Sequence, residues 1–212
     1  MKHSKVRIAA FIFAAYALVL HARVIASTPL ESVVKRVKKE CVAGRQPVVL
    51  FDLDDTLFDC RHRTLTIVRE FAALPGPCAR FPRELAALDK LQVSGVRYNL
   101  KDTLAGLEIA NEDFIKELNA FWGARFFSSA YVANDTPLPG AVAYVKRLAQ
   151  SGAFVVYLTG RNLPGMGEGT KQCLEKNGFP MKGKARLIMK PSKEISDVVF
   201  KTGAFDEIAK LG

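Results

Sequence analysis

Short apolar runs alternate along this chain with longer stretches in which apolar residues recur every three or four positions. Three of the short runs, at 47–51 (Pro-Val-Val-Leu-Phe), 154–158 (Phe-Val-Val-Tyr-Leu) and 186–189 (Arg-Leu-Ile-Met), are flanked by polar or turn-forming residues. Such brief, nearly continuous hydrophobicity predicts buried strands. The three- and four-residue spacing predicts helices over 30–41, 64–74, 83–91, 112–127, 141–150, 170–177 and 205–211. Pro75-Gly76-Pro77 breaks the second of these, Ser151-Gly152 closes 141–150, and Gly178 closes 170–177.

Strands that alternate with helices imply a parallel sheet, so an α/β fold is expected. Between 60 and 133 the pattern is helical, with no convincing strand. The expected organisation is therefore a core built from 27–59 and 134–212, interrupted by a helical cap at 60–133.

Length and composition agree with one α/β domain plus an insertion: 212 residues, 49% of them hydrophobic, are enough for a sizeable core. The N-terminus changes the picture. Lys2, Lys5 and Arg7 precede an uncharged apolar run over 8–20, and Val24-Ile25-Ala26 stands before Ser27. This is the outline of a signal peptide, too short to span a bilayer, so 1–26 is expected to be a leader or N-terminal anchor and the protein to be exported or periplasmic. A cytoplasmic location is the alternative, and no stable membrane span is expected after processing.

The net charge of +10 falls to +6 without 1–26, which carries four basic residues and no acid. The densest basic run, Lys35, Arg36, Lys38 and Lys39, is interleaved with Val33, Val34 and Val37 as on an amphipathic helix, so a solvated face is favoured over a nucleic-acid patch. Cys41, Cys60, Cys78 and Cys173 lack zinc-site spacing, and they allow either disulfides or free thiols. Phe121-Trp122 and Phe126-Phe127 read as cap packing. Arg61-His62-Arg63-Thr64 reads by default as a solvated helix start, with contact to a bound ligand from the loop into the cap as the alternative.

The chemistry concentrates just past the first strand, in Asp52-Leu53-Asp54-Asp55-Thr56-Leu57. Two carboxylates two residues apart on extended backbone point in one direction. They stand at the carboxyl end of a strand, where open parallel sheets bind ligands. A hundred or so residues later, Thr159-Gly160-Arg161 follows the second strand.

These two motifs resemble motifs I and II of the haloacid dehalogenase-like phosphohydrolases, and their separation is similar to that of members with a helical cap. The resemblance covers roughly 47–211. It implies a Rossmann-like sheet with flanking helices and a magnesium-dependent phosphatase that passes through an aspartyl-phosphate. In that reading Asp52 is the nucleophile, Asp54 the general acid and base, and Thr56 a supporting residue. Thr159, Gly160 and Arg161 bind the phosphoryl oxygens of a small phosphorylated substrate. Lys190, Lys193 and Lys201 all compete for the lysine of motif III. Lys201 is favoured, because Asp197 lies four residues before it and is placed to orient it on one helix face, and Lys190 is the alternative. Magnesium, a hard dication that keeps several waters, would take a carboxylate oxygen of Asp52 and the main-chain carbonyl of Asp54.

The family's fourth motif, an acid after one more strand, has no counterpart up to Gly212. A chain cut short is preferred here to a degenerate one. Two rival readings stand beside the phosphatase: a catalytically silent phosphate-binding module of the same fold, and a nucleic-acid end phosphatase.

Overall fold

In a computed structural model, residues 28–132 and 134–212 are described; the expected leader at 1–26 lies outside the described residues. The chain divides into two units between Arg36 and Val37, a boundary that falls inside helix α1 (Pro29–Val42). Sheet, helical segment and site all belong to 37–212.

The three predicted strands are present and pair in parallel: β1 (Val48–Phe51), β4 (Phe154–Asn162) and β5 (Ala185–Lys190), in the order β1-β4-β5. The fold is thus the expected α/β arrangement with flanking helices. Alternation along β4 sends side chains to both faces. Val155 and Tyr157 join Leu53, Phe58, Val145 and Leu174 in one core cluster, against helices α8 (Ala141–Gln150) and α9 (Leu163–Lys176). Val156 and Leu158 join Ala204 and Ile208 of α10 (Asp197–Ile208) in another.

Strand β4 continues beyond its predicted end, through Thr159-Gly160-Arg161 to Asn162. Phe51 pairs with Tyr157 and Asn162 with Lys190, with an irregularity in the β4–β5 register between Thr159 and Asn162. Because the strands are parallel, this register gathers Asp52, Arg161 and Lys190 at one carboxyl edge of the sheet.

The stretch from Arg61 to Val132 is helical, as expected, and comprises α2 (Arg61–Ala72), α3 (Pro75–Arg80), α4 (Pro82–Leu88), α5 (Leu100–Ala105), α6 (Glu112–Phe126) and α7 (Ser129–Val132). It has a hydrophobic cluster of its own around Val68, Phe71, Leu104, Phe114 and Leu118. Pro75 does more than end a helix, since its fixed φ suits the first turn of α3. Asn99 and Asn111 cap α5 and α6 by accepting the N–H groups of Asp102 and Phe114. An antiparallel pair not expected from sequence, β2 (Phe58–Asp59) with β3 (Thr136–Pro137), ties the two ends of this segment together. Two-residue strands carry too little periodicity to be read from sequence.

Helix α9 starts at Leu163 rather than at 170, and α10 joins the helix face expected over 197–201 to the helix expected from 205 in one continuous element. Gly165, Gly167 and Gly169 disfavour a helix by propensity. Tertiary contact outweighs this: the Ser129 hydroxyl donates to the Gly165 carbonyl at 3.1 Å and accepts from the Gly169 N–H at 3.1 Å. A Cβ at Gly169 would overlap the Ser129 backbone. In α10, Ser196 supplies the cap by accepting the Val199 N–H.

Candidate active site

Past β1 the backbone folds into a tight loop around one carbonyl. Leu53 O accepts N–H groups from Thr56, Leu57 and Phe58, at 3.2, 2.9 and 3.0 Å. Asp55 takes φ 53°, a conformation Asp tolerates better than most residues, and its N–H returns to Phe58 O. Leu53, Leu57 and Phe58 are buried and anchor this loop in the core, and Asp52 and Asp54 both line the cavity beside it. Thr56, expected to support the site, is exposed on the turn and does not line the cavity.

Asp52 is held at both oxygens: Oδ1 accepts the Leu53 N–H at 2.8 Å, and Oδ2 accepts from Lys201 Nζ at 2.5 Å. Lys201 reaches it from α10, packed on the sheet. The pairing of Lys201 with Asp197 expected at i, i+4 is replaced. Asp197 Oδ1 accepts instead from Lys190 Nζ at 2.7 Å, because β5 ends directly before the loop that leads into α10. Gly160 permits this arrangement, since a Cβ there would collide with the Asp197 carboxylate.

Asp54 lies in a cluster of four charges. Its Oδ1 accepts from Arg161 NH2 at 2.7 Å, from Arg63 NH2 at 3.0 Å and from the Cys60 thiol at 2.8 Å. Both guanidiniums also donate to Asp135: Arg161 NH2 to Oδ2 at 2.6 Å, Arg63 NH2 to Oδ2 at 2.5 Å and Arg63 Nε to Oδ1 at 2.8 Å. Arg63, Arg161 and Asp135 are buried, and two arginines balance two acids. Burial opposes ionisation of Asp54, but the charge and hydrogen bonds of Arg161, with those of Arg63 and Cys60, outweigh it and hold the carboxyl far below the usual range. Burial, and then the Asp54 and Asp135 charges, push the Cys60 thiol up, so it stays protonated as a donor.

This cluster redefines two expectations. Arg161, read as a phosphate ligand, has its guanidinium engaged by two carboxylates and orients Asp54. Thr159 is fully buried, its Oγ1 accepting the Arg161 N–H at 3.3 Å, and it stands outside the cavity lining. Asp135 carries no expected role in the sequence, and Arg63, expected by default at the surface, is buried. A signal was present for Arg63: it shares a helix face with Ile67 and Phe71, four and eight positions on, both buried. For Asp135, inside Asn134-Asp135-Thr136, there was none beyond turn composition.

The cavity beside these groups measures about 1560 Å³. Its sheet side carries Asp52, Asp54, Gly160, Arg161, Lys190 and Asp197. Its helical side carries residues of α2 and α6 and of the loop before α5. The four cysteines are free thiols. Among the described residues no helix is long and apolar enough to cross a membrane.

Asp54, Cys60 and Asp135 bring three metal-type ligand atoms within 4.8 Å of one another. A cation there would meet the guanidiniums of Arg63 and Arg161, so this is an ion-pair cluster and a poor metal centre. The Asp52 carboxylate and the main-chain carbonyl of Asp54 fit a hard dication better. Both are oxygen donors, the carboxylate is partly open to the cavity, and a cation that keeps its waters needs few protein ligands.

A family model described as haloacid dehalogenase-like hydrolase matches residues 47–197. No curated protein and no solved structure matches the chain significantly.

Proposed function

Since the chain belongs to the haloacid dehalogenase-like hydrolase family, we propose that it is a phosphomonoesterase whose nucleophile is Asp52. One observation carries this reading: a carboxylate just past the carboxyl end of β1 faces a large cavity, oriented by Lys201 and the Leu53 N–H, with a second carboxylate two residues on.

An Asp52 oxygen attacks phosphorus, the bond to the leaving oxygen breaks, and an aspartyl-phosphate forms. Asp54 delivers a proton to the leaving oxygen. Water then attacks the aspartyl-phosphate, Asp54 takes its proton, and phosphate and free Asp52 result. In the free protein Asp54 is ionised, the form required in the second step. For the first step Asp54 takes up a proton from solvent as substrate binds, and the negative charge of a phosphate dianion favours that protonated form. Arg161 and Arg63 hold the carboxylate in place throughout, and Lys201 neutralises charge at Asp52.

Magnesium held by Asp52 and the Asp54 carbonyl would supply further positive charge to the phosphoryl oxygens. The helical segment 60–133 serves as a cap over the site, which excludes water and selects the leaving group. The basic and apolar pattern of 1–26 supports export as part of the same reading.

The test is hydrolysis of an aryl phosphate by the purified chain with magnesium, beside its Asp52→Asn variant. Turnover lost in the variant is the expected result. Turnover that survives the substitution overturns the reading.

A further inference from the structure

On its helical side the cavity wall is aromatic and basic. Of the residues that line it between Arg61 and Phe127, none is an acid. We propose that this wall is a subsite for a planar aromatic leaving group, so that the substrates are phosphate monoesters of aryl alcohols or nucleosides. The inference deepens the phosphatase reading and rests on it for the reaction.

Trp122 and Phe126 stack with ring centroids 4.4 Å apart and planes 26° apart, and Phe127 stands edge-on to both. The indole N–H of Trp122 is engaged by Thr64 Oγ1 at 3.3 Å, so what the ring offers a ligand is apolar surface. Phe127 is 53% exposed and Tyr98, which also lines the cavity, is 92% exposed. Large apolar side chains left open in a cavity with a few convergent polar groups mark a binding surface.

One side chain couples this wall to the reacting groups. The Arg63 guanidinium lies 4.3 Å from the centre of the Phe126 ring and donates to Asp54. A single guanidinium therefore separates the aromatic wall from the carboxylate that serves the leaving oxygen. A ring attached to that oxygen, directly or through a sugar, falls beside Phe126 and Trp122.

The polar inventory points away from other leaving groups. On the helical wall Thr64 Oγ1 accepts from Trp122 and Asn99 caps α5 through Asp102, so the groups that could recognise the hydroxyls of a glycerol or a free sugar, such as Asp55, Asp59 and Glu194, lie off the aromatic wall. A cationic leaving group would meet Arg97 and no acid on this wall. Arg97 has no ion pair among the described residues and adds a cation beside Tyr98, suited to the face of an aromatic ring or to the charge of a nucleotide.

Trp122 is the chain's single tryptophan, so its emission reports on the subsite directly. The Asp52→Asn chain, which should not turn over, is titrated with adenosine 5′-monophosphate, phenyl phosphate, glycerol 3-phosphate and inorganic phosphate. The two aromatic esters are expected to change the emission and to bind about tenfold or more tightly than the glycerol ester, as stacking energies suggest. Tyr98→Ala and Phe127→Ala are expected to remove about tenfold from that preference and to leave inorganic phosphate affinity unchanged. Tighter binding of the nucleotide than of phenyl phosphate assigns a nucleoside, and the reverse order a simple aryl group.

Equal affinities for aromatic and aliphatic esters overturn the proposal, as does a preference untouched by both substitutions. Because the readout is binding, a wild-type chain that binds aromatic esters without hydrolysing them defeats the phosphatase reading alone. A chain that hydrolyses glycerol 3-phosphate while showing no aromatic preference defeats this inference alone.

Discussion

Lys201 Nζ stands 2.5 Å from Asp52 Oδ2, a contact between side chains 149 positions apart in sequence. It places the cation of α10 on the carboxylate at the end of β1. Lys190, the other candidate, is already neutralised by Asp197. Lys201→Met is therefore expected to lower kcat by about 10²–10³, the scale of losing one fixed electrostatic contact to the reacting group, and Lys190→Met to cost less. Steady-state rates of both variants on an aryl phosphate decide the assignment. A larger loss from Lys190→Met would transfer the role.

Asp135 accepts from two buried arginines. Asp135→Asn leaves two guanidiniums with one carboxylate between them, away from water. The expected cost is about 3–5 kcal/mol, as for other buried pairs deprived of one partner. Urea unfolding followed by circular dichroism measures it. A cost below about 1 kcal/mol would mean that the cluster is solvated in solution.

Acid should weaken the fold through Asp54. Burial raises its carboxyl, but Arg161 and Arg63 lower it further, so the folded chain binds this proton more weakly than the unfolded one. The stability it contributes is complete above the ordinary value of 3.8 and drains away as pH falls below that toward the lower folded value. Denaturation midpoints followed downward from pH 6 should show this loss beginning near pH 4, and Asp54→Asn should flatten it. An unchanged acid limb in the variant would assign the loss to other carboxylates.

Gly169 sits where α9 meets the Ser129 backbone. Gly169→Ala gains helix propensity of about 1 kcal/mol but forces that backbone away. The balance is expected to be a loss of about 1–3 kcal/mol, the scale of overpacking. Gly203, whose added Cβ would meet nothing within 4 Å, is the control: Gly203→Ala should be neutral or stabilising. Thermal midpoints of the pair test the argument, and a stabilised Gly169→Ala would refute it.

The strands were legible because each is a short apolar run, although only β4, flanked by β1 and β5, is buried as expected and the two edge strands are half-buried, and 141–150 matched its helix because its apolar positions repeat at helical spacing. Where local preference and tertiary contact disagree, the reading stopped short. The glycines of α9 read as loop, since the serine that makes them useful lies 36 and 40 positions earlier in the chain. Asp197 read as the orienter of Lys201 because both fit one helix face, yet each found a nearer partner on the sheet.

The family, the α/β class and the two acids after β1 were determined by the sequence alone, because local periodicity and a motif on consecutive residues need no knowledge of distant neighbours. Which lysine meets Asp52, and that the buried Arg63, Asp135 and Arg161 join the cavity-lining Asp54 in one neutral cluster, was decided only in the tertiary structure. Charges attract according to distance in space. That distance is set by parallel strand register and helix packing, between residues that the chain keeps up to 149 positions apart.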